Sequence, residues 1–600
     1  MISYTGNKRK KDAESRGYFL SYLWAHLRDF KKESILAPLF KMLEALFDLF
    51  VPLVTANIIN IGIAQRDTPY ILRQCGLLVL LAALGLTCSI TAQYFAAKAA
   101  VGCASGLRRS LFAHIESLGY TEMDTLGTST LVTRMTSDIN QVQNGLNMAL
   151  RLFLRSPFIV FGAAILAFSI NVRAALIFVV EIPILSVIIF GLMAWTAPLY
   201  KKVQNRLDAV TGITRENLSG VRVVRAFDRE QAEAERFGAA NETLTKLQLY
   251  AGRISALMNP MTYVAVNLGI IAILQTGAVS IHTGALLPGD VIALINYMTQ
   301  ILVELVKLAS TIVLTSKALA CLSRVAAVLE QKPAMPFPTA AQAPISEGEA
   351  NAAADAVRFS HVSLRYAGAG ADSLTDVSFC ARRGETIGVI GGTGSGKSSL
   401  VNLIPRFYDA SEGTVSLFGR AAADWPKDAL RSRIGIVPQK AQLFSGTIRS
   451  NLLFGSETAD DAQLWAALET AQAADFVRAK PLGLDEPVEQ GGRNFSGGQK
   501  QRLTIARALV RDPDILILDD SASALDFATD AALRRAIAAL PGRHTVFLVS
   551  QRASSLQHAD RILVLDDGRL AGSGRHDALL ESCAVYREIY ESQFRKGGER

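Results

Sequence analysis

The sequence predicts two domains: an all-α domain of six transmembrane helices with long cytoplasmic helical extensions, then a P-loop α/β domain. The first is indicated by composition, since half of the 600 residues are hydrophobic and most of the apolar ones precede residue 325. The second is indicated by a β-rich run at 386–390, which leads through a glycine-rich loop into a helical pattern at 399–404. A chain of this length exceeds one ordinary domain.

Six segments are long and apolar enough to cross a bilayer. They lie at about 34–62, 71–98, 147–170, 173–197, 254–280 and 288–316. The basic residues Lys8, Arg9, Lys10 and Lys11 precede the first segment, which predicts a cytoplasmic N-terminus. Six crossings then return the C-terminal domain to the cytoplasm, so we expect a multi-pass protein of the plasma membrane.

The boundaries follow from changes in composition. Residues 1–33 are expected to hold a polar N-terminus, which does not resemble a signal peptide, and an amphipathic elbow helix at 17–31. The transmembrane domain is then 34–325. A Pro-, Ala- and Glu-rich linker at 326–356 separates it from the P-loop domain at 357–600.

The glycine-rich loop fits the pattern G-x-x-x-x-G-K-[ST] and predicts nucleotide binding. Its residues are Gly391, Gly392, Thr393, Gly394, Ser395, Gly396, Lys397 and Ser398, followed by Ser399. Glycines let backbone N–H groups approach phosphate oxygens, Lys397 supplies positive charge, and the Ser398 hydroxyl is a ligand for Mg²⁺. Asp519 ends a second apolar strand, where such proteins hold Mg²⁺. ATP and Mg²⁺ are therefore the expected cofactors.

Further short motifs precede and follow this loop in the sequence. They are Tyr366, Gln439 after Ile436-Val437-Pro438, the run Asn494-Phe495-Ser496-Gly497-Gly498-Gln499, and Ser523-Ala524-Leu525-Asp526. Over about 357–592 the chain resembles the ATP-binding cassette (ABC) transporters. The resemblance implies the ABC exporter fold. It also implies that Tyr366 stacks on adenine, that Gln439 is near Mg²⁺, that Asp526 belongs to the D-loop, and that Ser496 to Gln499 close on ATP held by a second ATPase domain.

Two positions depart from the family pattern. Asp520 stands where a catalytic Glu is usual, and Gln551 stands where a His is usual. The Asp carboxylate is one methylene shorter, and misplacing a catalytic group costs about 10²-fold per ångström. Gln cannot carry positive charge or shuttle a proton. The chain is therefore expected to bind ATP well and hydrolyse it weakly. The alternative is that both are neutral variants in a working site.

This pattern resembles the degenerate-site subunit of heterodimeric exporters. The resemblance implies ATP-driven export of an amphipathic small molecule, drug or lipid across the plasma membrane, with a second half-transporter supplying the catalytic Glu. Membrane lipid would then surround the complex. Two alternatives remain: a slow homodimeric exporter, and an ATP-gated channel or regulator of the same fold. Coupling helices are expected near 119–124 and 219–227.

Charged residues within apolar segments are candidate cargo or pairing sites. They are Asp48, Glu181, Glu304 and Lys307, with Asn267, Asn296 and Gln300 as polar neighbours along the path. Glu304 and Lys307 are three residues apart and are expected to pair on one helix face. The net charge of +8 is typical of a membrane protein's cytoplasmic side, so no nucleic acid partner is expected. The six cysteines lack metal or disulfide spacing.

Overall fold

A computed structural model describes residues 21–339, 355–521, 524–540 and 544–594. The chain divides into two compact units. The first comprises Met1–Glu116 and Thr128–Gln331, and the second comprises Ser117–Gly127 and Lys332–Arg600. The start of the expected elbow helix, 17–20, and residues 340–354 of the expected linker lie outside the described residues.

The first unit is helical throughout its described part. Numbered in chain order, with the short α3 assigned to the second unit, the helices are α1 (Lys31–Asn57), α2 (Thr68–Ser117), α3 (Tyr120–Leu126), α4 (Thr128–Thr133), α5 (Ile139–Leu152), α6 (Arg155–Ile170), α7 (Val172–Ser219), α8 (Val221–Ala226), α9 (Glu230–Ala256), α10 (Met258–His282) and α11 (Pro288–Leu329). Residues 21–27 are also helical, and Leu27 packs on Ala99 and Cys103.

Six helical segments among the described residues are long and apolar enough to span a membrane, which confirms the predicted number. They are Ser21–Ile63, Thr68–Ser117, Thr128–Ile170, Val172–Ser219, Glu230–His282 and Pro288–Leu329. Each contains one predicted span. They run for 42 to 53 residues, or roughly 60–80 Å, about twice the hydrocarbon thickness of a bilayer. The extra length forms the predicted helical extensions.

Local chemistry explains where these segments break and end. The fifth segment is interrupted at Leu257, between α9 and α10, because Pro260 has no N–H to donate to the carbonyl of Ala256. The sixth continues to Leu329, into the expected linker, because Val325 and Val328 are buried in the domain. The short helices α3 and α8 lie where the two coupling helices are expected.

Charged residues of the membrane domain meet in one network around Arg155. Its guanidinium donates to Glu304 Oε1 at 2.5 Å and to Asp48 Oδ2 at 2.8 Å. Ser156 and Lys307 also donate to Glu304, at 2.8 and 3.0 Å. The expected pair of Glu304 and Lys307 is confirmed, but Arg155, which the sequence reading missed, is the centre. The network joins α1, α6 and α11, so these charges hold helices together.

The second unit contains two main sheets and the remaining helices. The strands are β1 (Val357–Leu364), β2 (Leu374–Ala381), β3 (Thr386–Gly391), β4 (Glu412–Leu417), β5 (Arg420–Ala421), β6 (Ile434–Val437), β7 (Gly446–Thr447), β8 (Pro487–Val488), β9 (Ile515–Asp519), β10 (Thr545–Val549), β11 (Arg561–Asp566) and β12 (Arg569–Gly574). The helices are α12 (Lys397–Leu403), α13 (Lys427–Ser432), α14 (Ile448–Leu453), α15 (Asp461–Thr470), α16 (Ala474–Arg478), α17 (Gly497–Leu509), α18 (Phe527–Ala538), α19 (His576–Ser582) and α20 (Ala584–Phe594).

The six-stranded sheet has the order β12-β11-β3-β10-β9-β6, and all its pairs are parallel except β11 with β12. Ile515 and Ile517 of β9 enter one apolar cluster, and Leu516 and Leu518 enter another. Both faces of the sheet are therefore covered, as a parallel sheet requires. An antiparallel sheet, β2-β1-β4-β5, contributes Val357 and Leu417 to the first of these clusters.

We expect Arg155→Met to lower the free energy of unfolding by about 3 kcal/mol, because Glu304 is 2% exposed and would lose its central cation. Lys307→Met is the control. Its side chain is 45% exposed, so its loss should cost no more than about 1 kcal/mol. Chemical denaturation in mixed micelles measures both. Equal losses for the two variants would contradict a central role for Arg155.

Candidate functional site

The predicted nucleotide residues gather at one edge of the parallel sheet. The glycine-rich loop follows β3, Asp519 ends β9, Gln551 lies two residues beyond β10, and Gln439 lies two residues beyond β6. Because neighbouring parallel strands present their carboxyl ends at the same edge, segments distant in sequence converge there. The fold thus brings together the four segments that the sequence analysis assigned to phosphate and Mg²⁺.

Two glycines shape the loop between β3 and α12. Gly394 and Gly396 have φ of +83° and +93°, a region that residues with a side chain rarely adopt. At Gly396 a Cβ would also lie 2.6 Å from the carbonyl oxygen of Ser373. The loop conformation therefore depends on glycine at this position. The result is a loop of backbone that a phosphate group can approach closely.

Lys397 is folded over the loop that it follows. Its Nζ donates to the carbonyl oxygens of Gly391 and Gly392, at 3.1 and 2.6 Å. Burial lowers the pKa of Lys397, and the charges of Asp520 and Asp519 oppose this shift. A buried cation held mainly by neutral carbonyls is poorly compensated, so an anionic phosphate is the partner that its charge favours.

Asp519 lies buried at the end of β9, close to the first turn of α12. Burial raises its pKa, and Asp520 adds to the rise, while the hydrogen bond from Ser398 and the charge of Lys397 oppose it. A carboxylate and a hydroxyl side by side are hard oxygen ligands of the kind that Mg²⁺ prefers. The structure therefore places two of the three residues predicted to bind Mg²⁺, Ser398 and Asp519, in contact, while the third, Gln439, contacts Asp520.

Asp520 is held by the backbone and by Gln439. Its φ is +46°, its N–H donates to the carbonyl of Val549 at 3.0 Å, and its Oδ2 accepts from Gln439 Nε2 at 3.3 Å. Gln551 follows β10 with an exposed side chain, and its own carbonyl accepts from Gln593 at 2.7 Å. Both departures from the family pattern therefore lie at the phosphate edge of the sheet.

The signature segment forms the start of α17. Ser496 is the N-cap: its Oγ accepts from the N–H of Gln499 at 3.3 Å, and Gln499 Oε1 accepts from the N–H of Ser496 at 3.0 Å. This reciprocal capping fixes the first turn, where Gly497 and Gly498 leave the backbone uncovered by side chains. Phe495 is buried in the apolar core. The segment is therefore anchored at a helix start, and its predicted contact with the phosphates of ATP stays a prediction.

Tyr366, which is predicted to stack on adenine, contacts the helix that follows the glycine-rich loop. Its hydroxyl donates to Ser399 Oγ at 3.0 Å, and its ring packs edge-on against Tyr408 at 4.9 Å. The hydroxyl of Tyr408 in turn donates to Asp124 Oδ2 of α3 at 2.6 Å. Sequence analysis missed Tyr408 and Asp124. An aromatic residue five positions beyond the end of α12 gives no signal until the fold places it beside Tyr366.

The D-loop is only partly described, since Ala522 and Ser523 lie outside the described residues. Asp526 caps α18: its Oδ1 accepts from the N–H of Thr529 at 2.8 Å and its Oδ2 accepts from Thr529 Oγ1 at 2.9 Å. Hydrogen bonds from Thr529 lower the pKa of Asp526. Its proposed contact with nucleotide remains a prediction, as do the nucleotide contacts of Ser395, Thr393 and Ser399.

Two family models match this chain: the ABC transporter transmembrane region over residues 34–305, and ABC transporter over residues 374–523. An uncharacterized ABC transporter ATP-binding protein of Mycobacterium tuberculosis is 35% identical, covering 96% of this chain and 98% of that relative. The chain belongs to the ABC transporter family. Its single transmembrane region, fused to one ATP-binding domain, makes it a half-transporter.

Other relatives and a solved structure agree with this family. The ABC transporter ATP-binding protein YfiB of Bacillus subtilis is 36% identical, over 94% of this chain and 97% of its own. An ATP-dependent lipid A-core flippase of Desulfotalea psychrophila is 30% identical, over 81% and 84%. An ATP-bound bacterial exporter of the Atm1 family has a TM-score of 0.77 at 24% identity, covering 96% of this chain and all of that one, and shows the shared fold.

The residues present fit the family's cofactor, ATP with Mg²⁺. A side chain at Gly396 would obstruct the loop, and Ser398 adjoins Asp519. Among the described residues, Lys397 has no charged acceptor at hydrogen-bond distance. The chain is an ATPase coupled to transport, and its ATP-binding domain is cytoplasmic. Ser398 and Asp519 would hold Mg²⁺, which would neutralise phosphate charge, and Lys397 and the loop N–H groups would orient the phosphates.

Alanine at Gly396 should destabilise the ATP-binding domain by about 1–3 kcal/mol, because it forces a Cβ into positive φ and against Ser373. Gly392→Ala is the matched control, since its Cβ would meet nothing within 4 Å. Differential scanning fluorimetry of the full-length ABC transporter without nucleotide compares them. A similar fall in melting temperature for both variants would show that the loop does not depend on Gly396.

Proposed function

We propose that this chain is the degenerate-site half of a heterodimeric ABC exporter. Lys397 and Asp519 belong to one ATP site, which binds ATP and hydrolyses it slowly. The signature segment, 496–499, completes the second, competent ATP site, whose catalytic residues come from a different partner chain. The observation that carries the proposal is Asp520 at the position of the catalytic Glu.

The surroundings of Asp520 support slow hydrolysis. Its main chain is tied to Val549 of β10, and Gln439 donates to its carboxylate. The shorter side chain therefore cannot be compensated by a simple forward shift of the backbone. A carboxylate that falls about 1 Å short of the attacking water would lose about 10²-fold in rate.

Gln551 removes a second source of catalysis at the same edge. Its amide can accept and donate hydrogen bonds to a γ-phosphate, but it has no titratable proton near neutral pH. A positioned acid or base is typically worth about 10²–10⁴-fold. Asp520 and Gln551 together therefore favour long occupancy by ATP over turnover.

The intact signature supports a role in another subunit's site. Ser496 and Gln499 cap each other, so the helix start is preorganised to accept an anion. A chain that had lost ATP-dependent function altogether would have no need to keep this arrangement. We therefore assign the competent site to this signature together with a partner's Glu and His.

The proposed cargo is an amphipathic small molecule, a drug or a lipid. The relative from Desulfotalea psychrophila is named as a lipid A-core flippase, which supports a lipid-like cargo for this membrane domain. Transport then requires that the cargo bind with different affinity in the inward- and outward-facing states.

Native mass spectrometry of the complex extracted intact from its own membrane tests the assembly. We expect this chain, of 64.7 kDa, together with one different chain of similar size. The partner's sequence should carry Glu after its Walker B Asp and a His at the switch position. A complex of two copies of this chain would overturn the heterodimer and leave a slow homodimeric exporter.

Restoring the two missing groups should restore hydrolysis. In a complex whose partner has its catalytic Glu changed to Gln, Asp520→Glu with Gln551→His should raise ATP turnover about 10²–10⁴-fold. Asp520→Asn with Gln551→His is the control and should give no rise. Single-turnover assays with radiolabelled ATP measure both. A double variant that binds ATP but hydrolyses it no faster than wild type would contradict a degenerate site.

A further inference from the structure

Glu181 is separate from the Arg155 network. It lies in α7 and is 6% exposed, and its Oε1 has no hydrogen-bond partner among the described residues. No ion pair to Glu181 occurs in the described part of the chain. By contrast, Asp48 and Glu304 are each bonded to Arg155. Glu181 is thus a buried acid in an apolar segment without the compensation that the buried Glu304 and the half-exposed Asp48 have.

Such an acid is costly to keep. A buried carboxyl group without a hydrogen bond loses its interactions with water, and the charged form loses far more. Acids within transmembrane segments usually pair with a basic group or face a substrate path. Because the protein supplies no pairing group in its described residues, the missing partner is expected to come from outside the chain.

Gly269 in α10 makes room for this acid. A Cβ at this position would lie 3.4 Å from Glu181 Oε2 and 3.3 Å from the Met298 side chain. The glycine therefore allows α10 to pass close to the carboxyl group without covering it with a side chain.

A cleft opens beside Glu181, between α7 and α10. Its volume is about 500 Å³, within the range of sites that take drug-sized ligands. Glu181 is the one ionisable residue of its described lining. The rest is apolar, including Ile184, Ile188, Met261, Val264 and Leu268. An apolar wall with a single acid is complementary to a molecule with a hydrophobic body and one positive charge.

We propose that this cleft binds a lipophilic organic cation, with Glu181 as its counter-charge. The inference rests on the proposed function in one respect, the export of amphipathic molecules, and narrows the cargo to amphiphiles with an ammonium- or phosphonium-like head. The apolar walls bind the hydrophobic body, and the Glu181 carboxylate pairs with the cation.

The dimensions favour a small molecule over a basic side chain from a partner subunit. One Lys or Arg side chain would occupy only part of a cleft of this size, and the remaining apolar surface would stay uncovered. A bulky organic cation fills both the charged and the apolar parts. Occupation by a partner side chain is therefore treated as an outcome of the test.

Isothermal titration calorimetry of the intact complex in zwitterionic nanodiscs, without ATP, tests the site with tetraphenylphosphonium. Empty nanodiscs correct for partition into lipid. Triphenylphosphine oxide is the neutral probe of similar shape. We expect Glu181→Gln to weaken binding of the cation about 10- to 100-fold, because the variant loses the coulombic attraction of a partly desolvated ion pair. Binding of the neutral probe should stay within about twofold of wild type.

Two further variants complete the design. Glu242→Gln, on the exposed face of α9, is the matched control and should leave the Kd for the cation unchanged. Val264→Trp fills the cleft and should abolish binding of both probes. An unchanged Kd for tetraphenylphosphonium in Glu181→Gln and Val264→Trp would overturn the proposal, provided that their melting temperatures match wild type.

A third result would also overturn it. If Glu181→Gln leaves cation binding intact but reduces the fraction of assembled complex in native mass spectra, the carboxyl group pairs with the partner subunit. The outcome of this binding test does not depend on whether the complex is a heterodimer. A complex of two identical chains would end the proposed asymmetry, while a charge-dependent Kd at Glu181 would still establish the cation site.

Discussion

Burial of the parallel sheet on both faces is the constraint on which the ATP site depends. Since β9 and β10 send alternate side chains into two apolar clusters, their position and register are strongly specified. The residues that follow these strands are therefore placed by the core rather than by their own contacts. Asp519 and Lys397 could not otherwise share one narrow edge.

The same packing of the sheet limits where the shorter side chain of Asp520 can lie. A surface loop could move to bring a shorter side chain forward, whereas Asp520 is tied directly to Val549 of the adjacent strand. The proposed slow hydrolysis therefore depends on the rigidity of the sheet. The signature segment is fixed separately, by the reciprocal cap of Ser496 and Gln499, so its geometry does not depend on the residue at position 520.

In the membrane domain, two buried acids differ in whether neighbouring groups form hydrogen bonds or ion pairs with them. Glu304 and Glu181 are both buried acids in transmembrane helices. Glu304 receives bonds from Arg155, Ser156 and Lys307 and joins three helices, whereas Glu181 Oε1 receives none among the described residues and adjoins an apolar cleft. The first arrangement stabilises the fold, and the second is the basis of the proposed cation site.

The sequence by itself determined the six membrane spans and the glycine-rich loop, and it predicted the residues for Mg²⁺, because these depend on local hydrophobicity and on short motifs with their own backbone chemistry. It also identified Asp520 and Gln551 as departures. Only the tertiary structure decided which residues far apart in the sequence meet. Arg155 reaches Asp48 across 107 residues, and Tyr408 reaches Asp124 across 284. Such pairs depend on how helices and strands pack, and no periodicity or spacing within one segment records that packing.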